Sequence, residues 1–371
     1  MSVSTMANAP SHNDPHALER ATELLRTGAP AQAAALLKPL IESGRGGLLA
    51  RLQFVRALSA SNAAGEALAA ARETALLFPG AAVVSLGLGE VLLAAGHLPA
   101  AIAEFQRALR IDPGLHEARY LLGKAWIEGG EPDKALQELQ SIAADQRSPD
   151  LSDLIAEAEQ MRLAARSNAR YVRHLFDQFS ADYDSRMLGQ LGYSAPRILR
   201  ELAALVMPGM KDRSLDILDL GCGTGLAGFI FADLARRIDG IDLSPAMIEK
   251  ARARGIYAEL IVGDIEAPAC ERTYDLIIAA DTLVYLGDLS PLFTRIQTTL
   301  RPGAYFLFTV EKHDEAWFAL GPKRRWRHSE SYLREITQNC GLETCGVLAC
   351  TPRSEAGSPV EGLALAIRKP L

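Results

Sequence analysis

Cysteine is scarce in this 371-residue chain, and the five present (Cys222, Cys270, Cys340, Cys345 and Cys350) form no CxxC pair. An odd, unpaired set suits reduced thiols acting as small buried hydrophobes, not a disulfide framework. No His/Cys/Asp cluster has metal-ligand spacing, so no metal is expected. Positive charge is not in excess: 39 Lys and Arg stand against 45 Asp and Glu, for a net charge of −6. That balance counts against a nucleic-acid partner, because phosphates are normally met by surplus Lys and Arg. No apolar run approaches the roughly 18 residues needed to span a bilayer, so no membrane span is expected. Residues 1–16 carry no basic stretch followed by an apolar one, so no secretion signal is expected either. Together with the reduced thiols this reads as a cytoplasmic protein.

What is present suits two domains. The apolar share of 49% and charged share of 23% are ordinary for globular protein, and the length is generous for one core. Up to about residue 165 the chain is rich in Ala and Leu and poor in β-branched residues, which favours helices. Pro79 and Pro113 lie 34 residues apart. The block closed by Pro113 holds Leu88, Gly89, Leu92, Ala101, Phe105 and Ala108 at its interior positions. One period later come Leu122, Gly123, Trp126, Ala135 and Leu139; one period earlier come Phe54, Leu58, Ala67 and Ala71. A fainter copy runs through Ala21, Leu24, Ala33 and Leu37. Small residues let paired helices approach, and stacked pairs bury what one pair leaves open. The region resembles three to four tetratricopeptide repeats over residues 1–165. That resemblance implies a concave face for a protein or peptide partner, although capping the next domain or dimerising would use the same repeats.

Beyond residue 165 the pattern changes. A helical stripe over 171–184 carries Val172, Leu175, Phe176, Phe179 and Tyr183. Short apolar runs at 215–220, 238–242, 260–262, 274–280 and 305–310 then alternate with helical stretches, which predicts a parallel sheet covered on both faces. Two further runs, 343–348 and 362–367, have no helix between them and are expected to pair antiparallel.

At the first strand's end the sequence reads Leu218-Asp219-Leu220-Gly221-Cys222-Gly223-Thr224-Gly225. Glycines at a strand-to-helix turn allow tight backbone and close ligand approach. The string alone also fits a dinucleotide site. Three acids shift the balance. Asp219 is placed to accept from a ligand ammonium and would be awkward beside pyrophosphate. Asp242, in Gly240-Ile241-Asp242-Leu243-Ser244, suits a two-point grip on ribose hydroxyls. Asp264, in Gly263-Asp264-Ile265, can accept from an exocyclic adenine amine.

At these residues the chain resembles the class I S-adenosylmethionine-dependent methyltransferases, over roughly 171–371. Asp219 to Gly225 match that family's first motif, Asp242 to Met247 its second, Asp264 its third and 274–286 its fourth. The resemblance implies a Rossmann-like α/β domain over 166–371, with a mostly parallel seven-stranded sheet and an antiparallel last strand. It implies S-adenosyl-L-methionine as cofactor, held by Tyr183, Asp219, Gly221, Cys222, Gly223, Gly225, Asp242, Leu243, Met247, Asp264, Ile265 and Ala280. The repeats ahead of it resemble a bacterial group of methyltransferases carrying such repeats, and the catalytic half is similar to the ubiquinone and biotin biosynthesis type.

The resemblance implies that the acceptor, a small molecule or a protein, enters over the carboxyl ends of the strands. Candidate groups there are Asp281, Tyr285, Glu311 and His313. The run Lys323-Arg324-Arg325-Trp326-Arg327-His328 either grips an acidic acceptor, with His328 as a base near neutral pH, or forms a solvated loop ahead of a helix capped by Ser329. The 171–184 stripe either closes over the cofactor through Tyr183 or packs the core. No Asn/Asp-Pro-Pro-aromatic string follows the fourth strand, which runs Ala279-Ala280-Asp281-Thr282, so base-amine methylation is not expected. The alternative to an enzyme is a repeat scaffold with an inactive methyltransferase-like domain. The intact acids and glycines argue against it.

Overall fold

The computed structural model describes residues 16–371 apart from 144–147, 181, 268–271, 316, 322–323 and 356, and apart from the side chains of Phe179 and Gln190. Cys270, Lys323 and the Phe179 side chain therefore lie outside the described residues. Internal contacts divide the chain into two compact units, Met1–Arg162 and Leu163–Leu371. Among the described residues no helix is long and apolar enough to cross a membrane.

Among the described residues the first unit is built of helices. Four hairpins are formed by α1 (Ala17–Arg26) with α2 (Pro30–Glu42), α3 (Leu48–Ala60) with α4 (Ala64–Leu77), α5 (Ala82–Ala94) with α6 (Leu98–Ile111), and α7 (His116–Glu128) with α8 (Pro132–Gln140); α9 (Pro149–Leu163) follows. Each hairpin turns through one left-handed residue: Gly28, Asn62, Gly96 and Gly130, with φ of 77°, 60°, 77° and 70°. These recur every 34 residues, so the faint first repeat has the same turn as the others. Glycine takes that conformation freely, and asparagine is among the few other residues that tolerate it. The spacing of Gly89 and Gly123 also has a steric cause. A Cβ on Gly89 would fall 2.5 Å from the Phe105 ring, and one on Gly123 would collide with Leu139. Each glycine thus seats the large side chain sixteen residues on, which sits in the second helix of the same hairpin.

The second unit opens with α10 (Ala169–Phe179), α11 (Tyr183–Ser185), a π-turn at Arg186–Gln190, and α12 (Ala195–Val206). The 171–184 stripe is therefore not one helix: α10 stops at Phe179, and Tyr183 begins a separate turn. Strands β1 (Leu215–Leu220), β2 (Ala235–Asp242), β3 (Glu259–Val262), β4 (Tyr274–Ala279) and β5 (Leu300–Lys312) alternate with α13 (Leu226–Phe231), α14 (Pro245–Ala253) and α15 (Ser290–Thr299). After β6 (Phe318–Leu320), β7 (Trp326–His328) and α16 (Glu330–Asn339) come β8 (Glu343–Cys350), a small ladder of β9 (Ser354–Glu355) with β10 (Ser358–Pro359), and β11 (Gly362–Arg368). The sheet runs β3-β2-β1-β4-β5-β11-β8. The first five strands are parallel, and β11 is antiparallel to both neighbours.

Alternation along the central strands sends Ile277, Phe306, Phe308 and Leu365 into one core layer and Leu276, Ile278, Leu307 and Ala366 into the other. Both layers are buried, which is why these strands read as continuous apolar runs. Of the described cysteines only Cys222 is buried; Cys345 is exposed, and Cys340 and Cys350 are half-buried. The expectation of five core thiols fails because the other three lie on α16's end and the edge strand β8, where one side meets water.

Candidate active site

The carboxyl end of β1 turns sharply at Gly221 and Gly223, with φ of 64° and 55°. A side chain on Gly221 would strike Thr282, whereas Gly223 faces open space with no atom within 4 Å of where its Cβ would stand. Asp242, closing β2, fastens this loop. Its Oδ2 accepts from the Gly223 N–H and its Oδ1 from the Ser244 N–H, each at 2.8 Å. Ser244 then caps α14 by accepting from the Met247 N–H at 3.1 Å, and its hydroxyl donates to Asp177 of α10. Burial raises the Asp242 carboxyl above its usual range against those two donors.

A single cavity opens beside this loop. Of the residues expected to hold a cofactor, Tyr183, Gly221, Cys222, Gly223, Asp242, Leu243, Asp264, Ile265 and Ala280 line it, together with the acceptor candidates Asp281 and Tyr285. Gly225 and Met247 lie behind the wall instead: Gly225 faces Arg254 and Tyr257, and Met247 is fully buried in α14.

Asp219 departs from expectation. It does not face the open crevice but is 1% exposed behind the loop. Its Oδ2 accepts from the Tyr257 hydroxyl at 2.7 Å and the Gly228 N–H at 3.1 Å, while Oδ1 is buried with no hydrogen-bond partner among the described residues. Burial pushes its carboxyl up to about 7, although both donors pull it down. A buried acceptor without a donor is costly.

Asp264 is already engaged. Its Oδ2 accepts from Arg166 Nη2 at 2.7 Å and its Oδ1 from the Glu266 N–H at 3.0 Å. Arg166 also meets Glu266.

His328 does not serve as a base here. It is fully buried in β7, outside the cavity, with Nε2 3.0 Å from the Gly287 carbonyl. Burial lowers its pKa to about 4. The basic run is weakened as an anion grip for a related reason: two of its three arginines are engaged by acids. Arg325 pairs with Glu355, and Arg327 lies 3.5 Å from Glu311. Only three of its residues form a strand, too few to show as a period in the sequence. Ser329 does cap α16, accepting from the Tyr332 N–H at 3.2 Å. His313 does not line the cavity either; its N–H donates to the His328 carbonyl.

Asp281 ends β4 in a left-handed conformation (φ 57°), its N–H donating to Thr309 Oγ1 at 2.8 Å. Its carboxylate meets the buried Arg353, which also pairs with Glu311 and, at 3.0 Å, with Glu355. Tyr285 is T-stacked on Phe176 with ring centres 5.5 Å apart, and Phe176 on Tyr183 at 6.1 Å. Burial pushes the Tyr285 hydroxyl up to about 12. The turn bearing Tyr183 is latched to the glycine loop, for Asp184 accepts from both the Thr224 hydroxyl and Arg254.

Sequence reasoning missed Arg166, Ser167, Tyr193, Thr224 and Thr282, all of which line the cavity. Tyr193 donates to the Ala280 carbonyl at 3.1 Å. Among the described lining residues three carboxylates, Asp242, Asp264 and Asp281, stand against one cation, Arg166. That is poor company for pyrophosphate.

A family model described as "Methyltransferase domain" matches residues 217–303, and two described as "Tetratricopeptide repeat" match 52–116 and 92–158. The chain carries a methyltransferase domain behind tetratricopeptide repeats. The methyltransferase-domain match runs from β1 into β5, so it contains the glycine loop, Asp242, Asp264, Asp281 and Tyr285. The chain is 35% identical to "Methyltransferase-like protein 27" of Homo sapiens, over 30% of this chain and 46% of that protein. It is 26% identical to "Malonyl-[acyl-carrier protein] O-methyltransferase" of Serratia marcescens, over 45% of this chain and 64% of that protein. It is 31% identical to a "Probable S-adenosylmethionine-dependent methyltransferase" of Mycolicibacterium smegmatis, over 35% of this chain and 51% of that protein. The chain therefore spans about half to just under two thirds of the length of these relatives.

Proposed function

We propose that this chain transfers a methyl group from S-adenosyl-L-methionine to a small-molecule or protein acceptor, and that the repeats recruit a partner or substrate. The observation that carries this reading is the set of acids ending β1, β2 and β3. Asp242 and Asp264 line the cavity, suited to ribose hydroxyls and to a base edge, while Asp219 braces the glycine loop from behind. The mycobacterial relative, a probable S-adenosylmethionine-dependent methyltransferase, agrees with that donor set. When bound, the cofactor supplies an electrophilic methyl on a sulfonium. The chain's own work is orientation and exclusion of water. Phe176, Tyr183 and Tyr285 wall the cavity with apolar surface, and Asp281 and Tyr285 face the acceptor. With its hydroxyl pushed up, Tyr285 is a hydrogen-bond donor at neutral pH, not a base. Among the described lining residues there is no histidine. Asp281, held by Arg353, is then the proton acceptor within reach. A reduced, cytoplasmic setting fits the unpaired thiols.

Calorimetric titration with S-adenosylmethionine and S-adenosylhomocysteine tests this. We expect micromolar binding, weakened about ten- to a hundredfold in Asp242→Ala, which removes charge-assisted contacts of about 1.5–3 kcal/mol. No heat and no thermal stabilisation by either ligand sinks the enzyme reading and leaves a repeat scaffold.

A further inference from the structure

We infer that Arg166 reads the nucleobase: with Asp264 it forms a donor–acceptor pair that selects adenine, making it a specificity-determining residue of the cofactor site. This rests on the reading of the cavity as an S-adenosylmethionine site.

The segment that enters the second unit is pinned before it reaches the cavity. The Ala165 carbonyl accepts from the Gly287 and Asp288 N–H groups at 2.8 and 2.9 Å, and the Ser167 N–H donates to the Tyr285 carbonyl at 2.8 Å. Arg166 thus pairs antiparallel with Leu286 across the loop after β4. Gly287 keeps this seam closed, since a Cβ there would fall 2.7 Å from the Ala165 carbonyl oxygen. Fixed on both sides, Arg166 points into the cavity and sets Nη2 against Asp264 Oδ2 at 2.7 Å. Glu266 holds the other arm of the guanidinium.

A carboxylate oxygen and a guanidinium N–H then stand side by side at the end of β3. Each group keeps capacity after pairing, because a carboxylate oxygen has further lone pairs and Nη2 a second hydrogen. Adenine presents an amine donor next to a ring-nitrogen acceptor, which matches this pair. Hypoxanthine presents a carbonyl next to an N–H, which sets acceptor against acceptor and donor against donor. Sites that hydrogen-bond a group reject the analogue that mismatches it.

The test is calorimetry of the full chain with S-adenosylhomocysteine and with S-inosylhomocysteine, in wild type, Arg166→Ala and Arg166→Lys. Wild type is expected to prefer the adenine ligand by at least tenfold. Arg166→Ala is expected to weaken that ligand about tenfold and to collapse the preference, with lysine restoring little because it lacks the planar fork. A merely structural arginine would cost both ligands equally. An arginine that only plugs the site would, on removal, leave adenine binding unchanged or tighter. Either result overturns the inference. Binding of neither ligand by folded wild type instead takes down the cofactor reading on which the inference rests.

Discussion

Replacing Asp219 with asparagine isolates the cost of burying its carboxyl. Burial moves the carboxyl from 3.8 to about 7, and each pH unit of displacement is about 1.4 kcal/mol. A folded-state value above the unfolded one means the native protein holds a proton that the unfolded chain releases. Stability is therefore fully present below about pH 4 and is lost as pH rises to about 7, by roughly 4 kcal/mol in all. His328 works in the opposite direction. Its folded value of about 4 lies below the usual 6.5, so its roughly 3 kcal/mol is present above pH 6.5 and lost as pH falls to 4. The two nearly cancel in the wild-type profile. Only the difference between Asp219→Asn and wild type isolates the carboxyl. The variant keeps an oxygen for Tyr257 and Gly228, and it is expected to match wild type near pH 4 and exceed it by up to about 4 kcal/mol at pH 8. Native-state hydrogen exchange on peptides from β1 and β4, without ligand, reads this. A stability difference that does not grow with pH would refute the account of Asp219 as a carboxyl whose ionisation burial opposes.

Arg353→Met leaves Asp281, Glu311 and Glu355 without their shared cation and is expected to cost about 3–5 kcal/mol, seen as a large fall in thermal midpoint. Gly123→Ala forces Leu139 aside and should destabilise the repeats by about 1–3 kcal/mol in a far-ultraviolet melt, with S-adenosylhomocysteine affinity unchanged. Asp184→Ala removes the latch between the Tyr183 turn and the glycine loop; amide exchange at 182–190 should accelerate while the thermal midpoint barely moves, since this pair is half-exposed. In a proton-resonance titration of the seven histidines, His328 should show no inflection above about pH 5.

Much of the fold was legible because its signals are local. The 34-residue spacing reflects glycines that seat Phe105 and Leu139, and the apolar runs reflect strands covered on both faces. Turn chemistry marked the loop from Gly221 to Gly225. What escaped depends on partners far away in sequence. Nothing near Arg166 announces that Asp264, 98 residues on, will hold it. Arg353 sits in a polar stretch that reads as loop, yet it is 1% exposed. His328 was misjudged because Arg324, Arg325 and Arg327 suggest a wet segment, whereas pairing with β5 carries the histidine inward. Asp219 was assigned to the right element but to the wrong side of the wall, because Tyr257 draws it back.

The cage around Arg353 also bears on how the chain is made. Asp281 and Glu311 precede their cation by 72 and 42 residues. At a synthesis rate of roughly 5–20 residues per second, Asp281 waits about 4 to 14 s for Arg353 to be made. Until then the acids after β4 and on β5 have only the more distant charges of Arg325 and Arg327 beside them. The parallel half of the sheet therefore gains its full charge balance only when the chain leading into the antiparallel edge has been made.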